Sequence, residues 1–197
     1  MARSIDFFFF YGSTYTYLTV MRIDAVAAQA GVEVNWRPFN VRAIMIEMDN
    51  IPFRSKPVKA RYMWRDIERR AQTYGLPFAG PPVYPVDPED LANRVGIVAA
   101  GEGWCPDYTR ASYRSWFLEN KMLGEPDHVR QILGGLGKDA DEVIARADSA
   151  EVRARYDAET DEARRRGIFG APTFAVGDEI FWGDDRLEDA VDWATMT

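Results

Sequence analysis

The run Ile5-Asp6-Phe7-Phe8-Phe9-Phe10-Tyr11-Gly12-Ser13-Thr14-Tyr15-Thr16-Tyr17-Leu18 holds a strand signal, a turn signal and a helix signal in immediate succession. Ile5 to Phe10 is a short apolar stretch stopped by Tyr11-Gly12, which suits a central strand buried on both faces better than a helix. Ser13 then stands where a helix N-cap is expected. Leu18, Met21, Ala25 and Ala28 recur at helical spacing from Thr14 to Ala30, and Gly31 supplies the stop. Val32, Val34 and Trp36 alternate in the next segment, Val32 to Phe39, so a second strand completes a βαβ unit.

Further along, a polar, proline-containing stretch from Val41 to Pro57 precedes a helix expected from about Val58 to Tyr74, stopped by Gly75 and Pro77. Pro81, Pro82, Pro85 and Pro88 mark a rigid surface segment. Beyond it the pattern is helical, broken at Gly101-Gly103, Gly124-Pro126 and Gly134-Gly137. Asp148 with Glu151 reads as a capping box for a helix ending in Arg164-Arg165-Arg166-Gly167. Pro172 to Val176 and Glu179 to Trp182 read as strands joined by a tight hairpin at Gly177-Asp178, followed by a helix from Asp185 to Ala194. The order βαβ, helical block, ββα is that of an α/β, thioredoxin-like fold with a large all-helical insertion. On this reading residues 1–40 and 167–197 form the discontinuous thioredoxin-like domain, and 41–166 form a mainly helical insertion subdomain.

The chain has 197 residues, enough to bury a core without staples. With 24 Lys and Arg against 31 Asp and Glu the net charge is −7, which argues against nonspecific nucleic-acid binding and against anionic membrane surfaces. Small molecules or another protein are the expected partners. Met1 to Phe10 lacks the apolar stretch and cleavage site of a signal peptide, and no run approaches the length of a membrane span. Cys105 is the single cysteine, which excludes an internal disulfide and fits a reducing compartment, so a cytoplasmic location is expected. Cys105 reads as a loop bystander and His128 as a surface residue, and neither has the neighbours of a metal site. Gly134-Gly135-Leu136-Gly137 lacks the strand-then-helix context of a nucleotide fingerprint.

Three segments resemble the thioredoxin-fold family that holds 2-hydroxychromene-2-carboxylate isomerase and the kappa-class glutathione transferases. The first is Asp6 to Leu18, where the family has an Asp-Phe strand and then Ser-Pro-Tyr-x-Tyr-Leu; Ser13 matches its glutathione-activating serine. The second is Asn50 with Pro57-Val58-Lys59-Ala60-Arg61-Tyr62 and the following Asp66, in which Asn50 and Lys59 fall on ligand-contacting positions. The third is Gly167-Ile168-Phe169-Gly170-Ala171-Pro172-Thr173 with Phe181-Trp182-Gly183-Asp184-Asp185-Arg186-Leu187. Two positions depart from the pattern: Thr14 replaces the usual proline, and Phe10 an Asp at the strand end.

The resemblance implies glutathione as cofactor, Ser13 as the catalytic residue, and a homodimer. It places Ala171, before a cis Pro172, against the main chain of the tripeptide as an added strand. Trp182, Gly183, Asp184 and Asp185 complete that cofactor site, the carboxylates facing the ligand's α-amino group. A free thiol is only a few per cent thiolate at pH 7. A hydroxyl bonded to a charged acceptor is worth about 1.5–3 kcal/mol, and a helix N-terminus about 0.3–1, so Ser13 suffices without a general base. Arg54 and Lys59 are candidates for the carboxylate of a ring-opened ketoacid substrate, and Tyr84 and Trp104 for its aromatic part. The competing activities are a kappa-type transferase or peroxidase, a thiol-disulfide oxidoreductase, and a binding module without catalysis. The oxidoreductase is disfavoured because Gly12-Ser13-Thr14-Tyr15 offers no cysteine.

Overall fold

The computed structural model describes residues 3–50, 53 and 56–196. β1 (Ser4–Phe9) runs down the middle of a four-stranded sheet of order β2-β1-β3-β4. It pairs in parallel with β2 (Glu33–Pro38) and antiparallel with β3 (Thr173–Val176), which returns through Gly177-Asp178 into β4 (Glu179–Trp182). Phe7 lies opposite both Trp36 and Phe174. Both faces of β1 are covered: Ile5, Phe7 and Phe9 belong to the larger apolar cluster, while Phe8 and Phe10 join Phe39, Ile44 and Ile168 on the other side. Burial on both faces is the physical content of the apolar run.

The helix expected over Thr14–Ala30 is two helices, α1 (Thr16–Val20) and α2 (Ile23–Ala30), and Gly31 ends the second in the left-handed conformation. The turn at Met21-Arg22 resets the helical phase, so Ile23 and Ala27 are buried whereas Ala25 and Ala28 face solvent. Arg22 holds this turn. Its Nε donates to Leu18 O at 3.3 Å, its Nη2 donates to Asp184 O at 3.2 Å, and Nη1 is paired with Glu188.

The intervening block comprises α3 (Val41–Glu47), α4 (Pro57–Thr73), α5 (Leu91–Glu102), α6 (Cys105–Glu119), α7 (Pro126–Gly135), α8 (Ala140–Ala147) and α9 (Ala150–Arg165). The stretch read as polar loop from Val41 therefore opens with a helix, capped by the Asn40 side chain. The cap of α9 is Ser149, whose hydroxyl accepts from Val152 N–H; Asp148 instead ends α8 and pairs with Arg94 and Arg153. α5 and α9 pack on β2, and α6 packs on α1. One apolar cluster runs from the sheet into α5, α6 and α7, and α10 (Leu187–Met196), entered through a 3-10 turn at Asp184–Arg186, closes it.

His128, expected at the surface, is buried on α7 with its Nε2 2.9 Å from the Ser115 hydroxyl. Cys105 likewise is not in a loop but opens α6, and burial pushes its thiol up to about 12. Among the described residues no helix is long and apolar enough to cross a membrane, and no group of His, Cys, Asp and Glu stands ready for a metal ion.

Candidate active site

Ser13 sits in a tight turn at the C-terminal end of β1. The N–H groups of Gly12 and Ser13 both donate to Phe10 O, at 2.8 and 2.9 Å. Ser13 is not the helix cap that its position suggested: α1 begins at Thr16 with Tyr15 before it, and no side chain caps it. The Ser13 hydroxyl instead donates across to Ala171 O at 2.8 Å, joining residues 158 apart in sequence. The Ala171-Pro172 peptide is cis, as is Tyr84-Pro85.

Beside this contact opens a cavity of about 330 Å³, within the size range of small-ligand sites. Ala171, Pro172, Trp182, Gly183, Asp184 and Asp185 all line it. Two glycines shape its wall. A side chain at Gly170 would put Cβ 2.2 Å from Trp182 Nε1, and Gly183, at φ +116°, would bring its Cβ to 2.4 Å from Asp185 Oδ1. Gly170 thus lets the indole lie across the chain just before Ala171, against the Phe169 ring at 4.9 Å.

Tyr15, Asp66 and Arg70 also line the cavity, and the sequence reading did not select them. Their signal was present in α4, where Lys59, Met63, Asp66 and Arg70 recur at one-turn and two-turn intervals and share a face. Three rungs of that stripe grip the site. Met63 Sδ accepts from the Thr14 hydroxyl at 3.0 Å, Asp66 accepts from the Tyr15 phenol at 3.0 Å, and Arg70 donates to Asp184 through Nε (3.0 Å) and Nη2 (2.7 Å). Lys59 is exposed one turn before Met63 on the same stripe.

The two adjacent carboxylates are therefore unlike. Asp184 is 2 % exposed and committed to Arg70, and burial pushes its carboxyl up to about 6 despite the guanidinium. Asp185 is exposed, with Arg186 at 3.4 Å and the Arg70 guanidinium and Asp184 carboxyl near enough to interact with it electrostatically. The Tyr15 phenol is held well above its ordinary range by burial first and by Asp66 second, so it remains a donor. The cavity is lined by three carboxyl groups (Asp66, Asp184, Asp185) and two guanidiniums (Arg70, Arg186), of which Asp184 and Arg70 are paired with each other.

The remaining expected residues are dispersed. Asn50 is exposed after α3, its N–H bonded to Met45 O at 2.8 Å, and it does not line the cavity. Arg54 lies outside the described residues. Tyr84 stands against Phe53 and Trp64, with ring centres 6.4 and 6.0 Å away. Trp104 is not brought to the site: it is buried before α6, donates from Nε1 to Glu102 at 2.6 Å, and packs on Tyr108 under Lys138.

Known proteins resemble this chain along nearly its whole length. A 2-hydroxychromene-2-carboxylate isomerase of Sphingobium xenophagum is 28% identical, over 95% of this chain and 96% of its own. A Caenorhabditis elegans protein named glutathione S-transferase kappa 2 is also 28% identical, over 97% of this chain and 91% of its own. A solved 2-hydroxychromene-2-carboxylate isomerase superposes with a TM-score of 0.83 at 27% identity, covering 93% of this chain and 90% of that one. The family model of the DSBA-like thioredoxin domain matches residues 4–192. With that match spanning nearly the whole chain, the chain belongs to the DSBA-like thioredoxin domain family.

Proposed function

We propose that the protein is a glutathione-dependent isomerase of the 2-hydroxychromene-2-carboxylate type, acting on a small ring-opened aromatic ketoacid. The observation that carries this reading is the Ser13 hydroxyl, 2.8 Å from Ala171 O at the edge of a cavity lined by carboxyl groups and guanidiniums. The named activities of the relatives support it. Glutathione held beside Ser13 would supply the thiolate nucleophile for the isomerisation.

Ser13 holds the negative charge of that sulfur by turning its hydroxyl from Ala171 O toward it. Lowering a thiol by two pKa units requires roughly 2.7 kcal/mol of preferential stabilisation. A charge-assisted hydroxyl bond of about 1.5–3 kcal/mol covers most of this alone. Asp185, with Asp66, receives the ligand's α-amino group; Arg70 keeps Asp184 ionised and faces the carboxylate beside it. In this reading Lys59 and Arg54 hold the substrate carboxylate and Tyr84 stands along its aromatic part. Two copies form the working unit, a reading supported by the exposed apolar side chains Ile46, Met48, Val58 and Tyr62 on the two helices flanking residues 49–56.

A kappa-type transferase would use the same hydroxyl but keep sulfur in its product, and the relative of that name makes it the second reading. Product analysis separates the two. Incubation of 2-hydroxychromene-2-carboxylate with protein and glutathione is expected to yield a geometric isomer with all glutathione recovered. A stable conjugate with glutathione consumed would favour the transferase instead.

A further inference from the structure

Tyr113, on α6, is fully buried, and its hydroxyl lies 2.8 Å from Phe10 O and 3.2 Å from Ser13 O. Those carbonyls belong to the first and last residues of the active turn. Phe10 O is also the acceptor for the Ser13 N–H. Both peptide planes that flank the Ser13 Cα are therefore hydrogen-bonded, one to Phe10 O and the other to the phenol that grips Phe10 O as well. With the backbone on both sides of Ser13 tied in this way, the side-chain torsion is the one that would carry the hydroxyl from Ala171 O to a ligand.

The ring of Tyr113 is itself fixed, 6.2 Å from the Tyr11 ring and 5.7 Å from that of Trp116. Tyr113 does not line the cavity. Its phenol is held well above its ordinary range by burial, so it donates at any working pH.

We propose that Tyr113 is the positioning residue of Ser13: its hydroxyl clamps the two ends of the turn, so that α6 sets the direction in which the serine hydroxyl meets a bound thiol. This rests on the role given to Ser13 under Proposed function. Preorganised donors stabilise charge more than donors that must first be ordered, so loosening the clamp weakens the thiolate without removing any group that touches glutathione.

The test is a pH titration of the thiolate absorbance band with saturating glutathione, alongside calorimetric affinity and a thermal melt. Tyr113→Phe is expected to stay folded, to bind glutathione as the wild type does, and to raise the apparent thiol pKa by about one unit, roughly a threefold loss of thiolate at neutral pH and a tenfold loss well below the wild-type pKa. Replacing Tyr113 with 4-aminophenylalanine keeps a donor at the same reach and is expected to restore the wild-type value. Tyr156→Phe, which removes a buried hydroxyl without a partner, is expected to leave it unchanged. In the Ser13→Ala background, adding Tyr113→Phe is expected to cause no further rise.

A folded Tyr113→Phe protein with the wild-type thiol pKa overturns the clamp alone. So does a further rise in the Ser13→Ala background, or a 4-aminophenylalanine variant that stays at the Phe value. Loss of the fold in Tyr113→Phe with no rescue by 4-aminophenylalanine also overturns it, by assigning the hydroxyl to stability. Wild-type protein that binds glutathione with an unshifted thiol overturns the serine reading first, and the clamp with it.

Discussion

At Asp184 two effects oppose each other: burial raises the carboxyl, while the two bonds from Arg70 lower it, and burial wins, leaving it at about 6. A carboxyl whose folded pKa lies above its unfolded value takes up protons on folding. Its contribution to stability is therefore full below the unfolded pKa and is lost as pH rises through the folded one. For Asp184 that window runs from about 4 to about 6. Wild type is expected to lose about 2 kcal/mol relative to Asp184→Asn between pH ~4.5 and pH ~7. Urea denaturation of both proteins at the two pH values checks this, and a difference that does not change with pH contradicts it. Ser13, Ala171 to Thr173 and Trp182 to Asp185 were legible in the sequence because each sits in a contiguous motif, although the contacts they make are long-range. Tyr15, Asp66 and Arg70 were not, since Tyr15–Asp66 and Arg70–Asp184 join positions 51 and 114 apart. Trp104, a candidate for the substrate's aromatic part, instead turns its indole to Glu102 and to a buried neighbour in Tyr108.

Among the elements, α5 matters to the active turn more than its pattern suggests. It docks on Tyr11, two residues before Ser13, through Gly96, where an added Cβ would lie 2.6 Å from the tyrosine ring. Tyr11 cannot retreat, because its N–H donates to Asn93 Oδ1 and its phenol meets Thr109 at 2.6 Å. Alanine is favoured over glycine within a helix by about 1 kcal/mol, but overpacking a buried contact costs about 1–3 kcal/mol. Gly96→Ala is thus expected to lower stability by about 1 kcal/mol; a gain in a urea melt would show that the two elements do not press together. The order of elements and the hairpin at Gly177-Asp178 were readable because each rests on local pattern. The break between α1 and α2 was not. No proline or glycine marks it, and it is held by Arg22 bonds to Asp184 and Glu188, more than 160 residues ahead.

For the whole molecule, the sheet comes from the two ends of the chain and the helices between them share its core, so the inserted block acts as part of the active-site scaffold. α4 supplies the stripe that grips Thr14, Tyr15 and Asp184, and α6 supplies the phenol under Ser13. What they converge on is one hydroxyl, in a turn that has no thiol for disulfide exchange; the lone cysteine is buried and held protonated elsewhere. The most direct test of that hydroxyl is the thiolate absorbance of bound glutathione near neutral pH, compared between wild type and Ser13→Ala. The account predicts that the variant still binds the tripeptide and loses most of the band, whereas a band of undiminished height in Ser13→Ala would contradict it.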